Sequence, residues 1–238
     1  MKPPRGIARR RFALILGVGF SLLACLAVFA TTPVASPAPE PGASSSPAAA
    51  GFRLVALGTA QDGGYPQVAC SCARCALARR DPKLARRVSS LAIHSKATGK
   101  VYLIDATPDL PAQIERIHAF RDHPEGRTDR NPVDGILLTH AHIGHYLGLA
   151  WLGFETLSSH EIPVWASPRM AAFLRGNGPW SQLVGQGNIA LRTFEPGRDF
   201  ELEPGLRVTA LKVPHRDELS DTMGFLIRGP RRTLLYVP

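Results

Sequence analysis

Three histidines follow an apolar run in the stretch Val133-Asp134-Gly135-Ile136-Leu137-Leu138-Thr139-His140-Ala141-His142-Ile143-Gly144-His145. The run predicts a buried strand from Val133 to Thr139, which delivers His140 to the edge of a sheet. Imidazole nitrogens suit zinc or iron, and alternate residues at a strand exit can direct two side chains at one ion. A lone histidine is usually a satisfied structural residue, but three together carry lone pairs that need other partners. The stretch therefore predicts a metal site.

Outward from this stretch, the chain is predicted to alternate between strands and helices. Apolar residues at i, i+4 and i+7 predict a helix over Pro108–Phe120, and further helices are predicted from about Tyr146 and over Pro168–Leu174. The other predicted strands are Phe52–Gly58, Ser90–His94, Val101–Asp105, Ile162–Ala166, Leu206–Val213, Met223–Ile227 and Thr233–Val237. This order predicts a layered α/β domain with helices outside packed sheets.

The histidine stretch resembles the His-x-His-x-Asp-His motif of the metallo-β-lactamase superfamily, with Gly144 where the motif has aspartate. The resemblance implies an αββα sandwich and a metal centre built from His140, His142, His145 and His215. Within it, His140, His142 and His215 would hold the first ion, and His145 is the remaining local ligand of a second site. Lys212–His215 followed by Asp221–Phe225 resembles the histidine loop and following strand of phosphodiesterase-like members. The alternative for His215 is a loop or capping histidine.

Three histidines with an open fourth position suffice for a catalytic ion, zinc or iron. Gly144 supplies no side-chain oxygen, so a second ion is expected to bind weakly or to need a ligand from elsewhere. Asp105, at a predicted strand end, is a candidate to orient a metal-bound histidine, or alternatively caps a loop. Asp62, Gly63 and Gly64 are expected either to line the mouth of the site or to form a tight turn.

A second cluster of metal-binding residue types lies in a predicted loop, at Cys70, Cys72 and Cys75. The predicted domain has no fourth cysteine, so the three cannot all pair internally. Three thiolates and one further ligand predict a structural zinc site, and a disulfide with one free thiol is the alternative. The fourth ligand is expected beyond the end of this chain or among the remaining histidines, His94, His118, His123 and His160.

The sequence leading into these cysteines narrows the family. The stretch Leu57-Gly58-Thr59-Ala60-Gln61-Asp62-Gly63-Gly64-Tyr65-Pro66-Gln67, with Cys-x-Cys-x-x-Cys after it, resembles coenzyme PQQ synthesis protein B and its metallo-hydrolase relatives. Asp105–Asp109 followed by Gln113 resembles the corresponding segment of that family. The resemblance runs from about Phe52 to the last residue and implies a relative of that protein.

The first fifty residues are predicted to lie outside the folded domain. A basic start followed by the apolar run Phe12 to Ala30 is typical of an export signal over residues 1–30, cleaved or kept as a membrane anchor. Leu22–Cys25 resembles a lipoprotein cleavage site, and Arg9–Phe12 part of a twin-arginine signal. Residues 31–50, rich in Pro, Ala and Ser, predict a flexible linker. We therefore expect an exported protein, in the periplasm or anchored facing it, with a metallo-β-lactamase-like domain over 51–238.

Two features of the whole chain bound its function. The formal net charge is +9, but Lys2, Arg5, Arg9, Arg10 and Arg11 supply five of these charges, which leaves +4 for the remainder and does not indicate a nucleic-acid partner. The predicted strand Thr233–Val237 lies directly before the last residue, so the chain is expected to be a fragment; a natural truncation is the alternative.

Three functions remain open from the sequence. The first is a metal-dependent hydrolase acting on a small molecule through a phosphoester, ester or lactam-like bond. The second, implied by the family resemblance, is iron-dependent oxidation or carriage of a quinone cofactor or precursor. The third is a non-catalytic binding protein, which Gly144 favours.

Overall fold

The computed structural model describes residues 51–121 and 130–238. The predicted leader, the linker and His123 lie outside the described residues. Within those residues, no helix combines the length and the hydrophobicity needed to cross a membrane.

A six-stranded mixed sheet carries the first part of the domain. Its strands lie side by side in chain order: β1 (Phe52–Gly58), β2 (Ser90–Ser95), β3 (Val101–Ile104), β4 (Gly135–Leu137), β5 (Ile162–Ala166) and β6 (Ile189–Thr193). The pairs from β1 to β3 are antiparallel and those from β3 to β6 are parallel. Every residue of β3 and β4 is buried, as expected for parallel strands covered on both faces. The carboxyl ends of β3 and β4 therefore meet at one edge of the sheet.

A second, antiparallel sheet follows in sequence. It consists of β7 (Asp199–Glu203), β8 (Leu206–Lys212), β9 (Met223–Arg228) and β10 (Thr233–Tyr236), in the order β10-β9-β8-β7. The backbone N–H of Met223, at the start of β9, donates to Thr139 O at 3.0 Å. This bond places the loop between β8 and β9 beside the end of β4.

Within the described residues, five helices connect strands of the first sheet. They are α1 (Ala73–Arg80), α2 (Leu110–His118), α3 (Ile143–Tyr146), α4 (Pro168–Gly176) and α5 (Trp180–Gly185), with 3-10 turns at Pro82–Leu84 and Leu147–Leu152. The start of α4 follows from its sequence. The Ser167 hydroxyl accepts from Met170 N, and Pro168 suits the first helical position because its missing N–H would have no partner within the helix. Of these helices, α2, α4 and α5 pack on strands of the first sheet.

The core consists of two layers separated by the first sheet. Leu103 on β3 packs with the helices, whereas its neighbours Tyr102 and Ile104 pack against the second sheet. The described residues thus stack as helices, sheet and sheet, which confirms the predicted α/β class with packed sheets. On β10, Leu235 is 55% exposed on the far side of the second sheet.

The structure corrects the predicted surroundings of the cysteines. The predicted loop ends at Cys72, which precedes the first residue of α1, and Cys75 lies within that helix. The helix has only two buried residues, Cys75 and Ala78, so no apolar periodicity indicated it.

Candidate metal centre

Asp105 and Thr139 meet where the neighbouring strands β3 and β4 end. Asp105 is fully buried with φ +63°, a backbone conformation that aspartate tolerates better than most residues. Its backbone N–H donates to Leu137 O at 2.9 Å. Its carboxylate accepts from the N–H of Thr139 at 2.8 Å and from the Thr139 hydroxyl at 3.0 Å. Asp105 thus holds the turn that delivers the histidines.

Three of the four predicted ligands converge at this edge. His142 Nδ1 lies 3.0 Å from His140 Nε2 and 3.1 Å from His215 Nε2. His215 comes from the loop between β8 and β9, which is tied to the histidine segment because Ala141 N donates to Ser220 Oγ at 2.9 Å. The triad of His140, His142 and His215 therefore joins the edges of both sheets.

The outer partners of His140 and His142 decide which nitrogens carry protons. His142 Nε2 lies 3.0 Å from Glu218 Oε2, and a carboxylate only accepts, so this nitrogen holds a proton and the neutral ring has its lone pair on Nδ1. The Thr139 hydroxyl donates to Asp105 and therefore accepts from His140 Nδ1 at 2.9 Å, which leaves a lone pair on His140 Nε2. Two lone pairs then face each other at 3.0 Å, an arrangement that a metal ion satisfies.

Electrostatics keeps His140 in the form that can bind a cation. Burial, together with the neighbouring imidazoles of His145, His142 and His215, lowers the pKa of His140 to about 3. The ring is therefore neutral at physiological pH, which is the form that binds metal.

The fourth predicted ligand, His145, lies beside the triad but points elsewhere. Its ring centroid is 4.1 Å from that of His140, yet its Nδ1 lies 2.7 Å from Asp105 Oδ2 and its Nε2 lies 3.4 Å from Asp62 Oδ1. Burial disfavours the charged form of His145, but the Asp105 carboxylate outweighs burial and raises its pKa. Asp105 bonds the Thr139 backbone, as a loop-capping aspartate does, and it also contacts the His145 ring.

The predicted mouth of the site divides into two parts. Asp62 reaches His145, whereas Gly63 and Gly64 line a cavity whose lining includes none of the four histidines. Gly64 has φ +70° and donates its N–H to Gln61 O at 2.8 Å, so this glycine serves the tight turn.

The sulfur atoms of Cys70, Cys72 and Cys75 lie within 4.8 Å of one another, and all three are free thiols. Hydrogen bonds from the Cys75 backbone N–H and from the neighbouring thiols lower the pKa of Cys72 to about 7. Among the described residues no histidine joins this group, so His94, His118 and His160 do not supply a fourth ligand in this geometry.

Sequence reasoning did not identify Glu218 or Thr139 as functional residues. Glu218 follows His215 by three positions in the same loop, yet its partner is His142, which is distant in sequence. The position of Glu218 in the sequence therefore gave no indication that it contacts His142. Thr139 precedes His140 directly and could have been considered as a residue that orients the ring.

The two packed sheets and the histidine centre define a protein of the metallo-β-lactamase fold. Residues 100–238 match the family model described as a beta-lactamase superfamily domain, and the chain belongs to that superfamily. Among curated relatives, coenzyme PQQ synthesis protein B of Rhodopseudomonas palustris (strain TIE-1) is 36% identical over 173 residues, covering 68% of this chain and 53% of that protein. The protein of the same name from Methylobacterium radiotolerans is 28% identical over 201 residues, covering 79% and 65%. The chain thus spans about half to two thirds of the length of these relatives.

Solved structures agree with this family. The Zn(2+)-bound PqqB from Methylobacterium extorquens superimposes with a TM-score of 0.65 at 27% identity, covering 78% of this chain and 64% of that one. A diphosphatase from the PhnP family shares the fold with a TM-score of 0.53 at 23% identity, covering 74% and 61%. The predicted resemblance to the PQQ synthesis protein B family is confirmed.

Proposed function

We propose that the chain is a metal-dependent hydrolase whose ion is held by His140 Nε2, His142 Nδ1 and His215 Nε2. The main support is the convergence of these nitrogens, since His142 Nδ1 lies 3.0 Å from His140 Nε2 and 3.1 Å from His215 Nε2. The outer partners of His140 and His142 leave the lone pairs of these two rings facing inward. A metal ion held there would activate water as a nucleophile near neutral pH, against a phosphoester, an ester or a related bond. Zinc suits three imidazoles with one open position.

The protein residues around the triad contribute orientation. Glu218 fixes the His142 ring by accepting its Nε2 proton, and Thr139 fixes the His140 ring through Nδ1. Both contacts are of the kind that orients metal-binding histidines in known sites. Asp105 connects them, because it accepts from Thr139 and from His145. Thr139 and Asp105 therefore orient the triad from the buried side, while Glu218 and His215 approach it from an exposed loop.

Metal analysis beside a hydrolysis assay tests the proposal. Zinc and iron per chain would be counted in the full chain and in His142→Ala, with His160→Ala as the control. His160 is exposed, and its two bonds to Asn131 are made by its backbone. Hydrolysis of nitrophenyl phosphodiesters, nitrophenyl esters and a chromogenic lactam would be measured on the same samples.

The expected result is that His142→Ala loses one ion and at least about a hundredfold of activity, while His160→Ala matches the wild type. Retention of all metal by His142→Ala would refute the metal centre. A bound ion without turnover on any of the three bond types would leave a non-catalytic binding protein.

A second candidate is a role in making or handling the PQQ cofactor. It is favoured by the curated relatives, which are named coenzyme PQQ synthesis protein B, and by the similarity to a PqqB structure. This role favours iron over zinc as the ion at the triad. Iron in the purified protein that disappears in His142→Ala would support this role over hydrolysis.

A further inference from the structure

We propose that the cavity lined by Gly63 and Gly64 binds a phosphorylated small molecule, with Arg86, Arg87 and Arg116 holding its phosphoryl group. The cavity has a volume of about 690 Å³, which is within the range of small-molecule sites. The inference goes beyond the proposed function and does not depend on it, because none of the four histidines lines this cavity.

The first argument is charge. The lining contains three arginines against a single carboxylate, that of Asp109. This carboxylate accepts from Val88 N at 2.8 Å. Within the described part of the chain, the guanidinium groups of Arg87 and Arg116 form no hydrogen bond or ion pair. The cavity therefore has an excess of positive charge that the fold does not neutralise, and an anion would neutralise it.

The second argument is the arrangement of the arginines. Arg116 lies on α2, whereas Arg86 and Arg87 lie in the segment before β2, so the charges come from two separate elements. The Arg86 guanidinium is fixed, because its Nη1 donates to Lys83 O at 3.0 Å and to Ala85 O at 2.8 Å. A tetrahedral phosphoryl group offers oxygens in several directions, whereas a carboxylate offers them in one plane. Guanidinium groups from different elements therefore suit a phosphoryl group better.

The third argument is the apolar part of the lining, which contains Tyr65, Pro66 and Val68. Val68 is 79% exposed, which is unusual for an aliphatic side chain. Tyr65 is fixed, because its hydroxyl donates to Arg74 O at 3.0 Å and its backbone pairs with that of Arg86 at 2.9 and 2.7 Å. An apolar surface beside the arginines suits the organic part of a ligand, so we infer an organic phosphate and not the free ion.

A turn separates the cavity from the histidine triad. Asp62 Oδ1 lies 3.4 Å from His145 Nε2, whereas the next two residues, Gly63 and Gly64, line the cavity. The two sites are thus neighbours on opposite sides of one short segment. A ligand in the cavity can bind without contacting an ion at the triad, so a variant that lacks a triad ligand can be used to test it.

Calorimetric titration of the full chain with phenyl phosphate tests the proposal. Binding in the cavity is expected to persist in His142→Ala, which removes a triad ligand and with it binding of the phosphate to an ion there. Phthalate, which also carries two negative charges and an aromatic ring but has planar carboxylates, is expected to bind at least about tenfold more weakly.

Substitutions in the His142→Ala background locate the bound phosphate. Arg87→Gln and Arg116→Gln are each expected to raise the dissociation constant of phenyl phosphate at least about tenfold, because a charge-assisted hydrogen bond is lost. Arg175→Gln is the matched control, since Arg175 is exposed at the end of α4 and lies outside the lining. Circular dichroism would confirm that each variant is folded.

The outcomes distinguish this inference from the proposed function. If Arg87→Gln and Arg116→Gln bind phenyl phosphate as tightly as Arg175→Gln does, the cavity is not the site. Binding that disappears in His142→Ala would place the phosphate at the triad, which refutes this inference and supports the metal centre. Equal affinity for phthalate would overturn the assignment to phosphate. Binding in the cavity of a chain that holds no metal at the triad would support this inference while the proposed function fails.

Discussion

At the scale of single residues, Asp105 connects the backbone turn to the metal centre. It is fully buried and accepts from Thr139 N, from the Thr139 hydroxyl and from His145 Nδ1. In Asp105→Asn, the backbone can keep its positive φ, but an amide N–H₂ group faces donors. We expect a loss of about 1–3 kcal/mol in the free energy of unfolding and about 10–100-fold weaker zinc binding at the triad.

Urea unfolding and zinc titration would measure both effects. Asn188→Asp would be a poor control, because Asn188 is itself buried. The control is Asp199→Asn, because Asp199 is exposed. Wild-type zinc affinity in folded Asp105→Asn would show that Asp105 supports the turn alone.

The contact between Gly144 and Asp62 makes a second residue-scale prediction. Gly144→Ala places a Cβ atom 2.5 Å from Asp62 Cγ, so we expect about 1–3 kcal/mol of destabilisation from overpacking. Adding Asp62→Gly should recover at least about 1 kcal/mol of that loss, because the two residues are in direct contact. A double-mutant cycle measured by urea unfolding checks this, and simple additivity of the two changes would contradict it.

The histidines could be predicted as metal ligands from the sequence because three of them lie close together in one short segment. His140, His142 and His145 follow a buried strand, and the context of His215 resembles a known histidine loop. From the sequence, Asp62 could be assigned only to the mouth of the metal site, and Glu218 could not be assigned to the site at all. Their partners, His145 and His142, lie far away in sequence, so only the packing of loops brings the pairs together.

At the scale of elements, α1 depends on its cysteines more than on apolar burial. Its only buried residues are Cys75 and Ala78, and Arg79 anchors it by donating to the carbonyls of Cys70 and Gln67. If zinc binds the three thiolates, its removal should loosen this helix locally. We expect Cys75→Ser to raise amide hydrogen exchange in residues 67–80 at least about tenfold, while β3 and β4 stay protected.

Hydrogen exchange followed by mass spectrometry would resolve these segments. Ser71→Ala, within the same cluster of residues, is the matched control, since a hydroxyl next to the thiols is not part of the metal-binding group. Equal exchange of residues 67–80 in Cys75→Ser and the wild type would mean that the thiolates do not hold the helix.

Strands with buried apolar residues were predicted from the sequence, whereas exposed or short elements were missed. Strands β1 and β5 match their predicted bounds, and β3 and β4 were recognisable as apolar runs, although β4 (Gly135–Leu137) is shorter than the predicted Val133–Thr139. The predictions omitted β6 and β7, which lie at the edges of their sheets and carry exposed polar residues. Strand β6 shows no alternation, whereas β7 alternates polar and apolar residues over Asp199–Glu203 and could have been predicted. Helix α5 was also missed because it is six residues long and buries only Leu183.

At the scale of the whole molecule, the histidine triad connects the two sheets. His140 and His142 follow β4 of the first sheet, and His215 lies between β8 and β9 of the second. An ion bound by all three would therefore link segments that are otherwise joined by packing and by a few loop hydrogen bonds. Since such an ion binds the folded chain and finds no preformed site in the unfolded one, zinc should stabilise the fold as a whole.

This linkage predicts how heat stability depends on zinc. At a zinc concentration 100 times the dissociation constant of the triad, the stabilisation is about 2.7 kcal/mol, which corresponds to a rise in Tm of about 5–10 °C for a domain of this size. His215→Ala removes the only ligand from the second sheet, so it should keep just the part of the rise that comes from the cysteine site. His160→Ala should behave as the wild type, because it leaves all three ligands in place. Scanning calorimetry with and without zinc measures the three proteins side by side. If His215→Ala shows the full zinc-dependent rise, the ion does not bridge the sheets, and the triad is not the site that couples metal binding to folding.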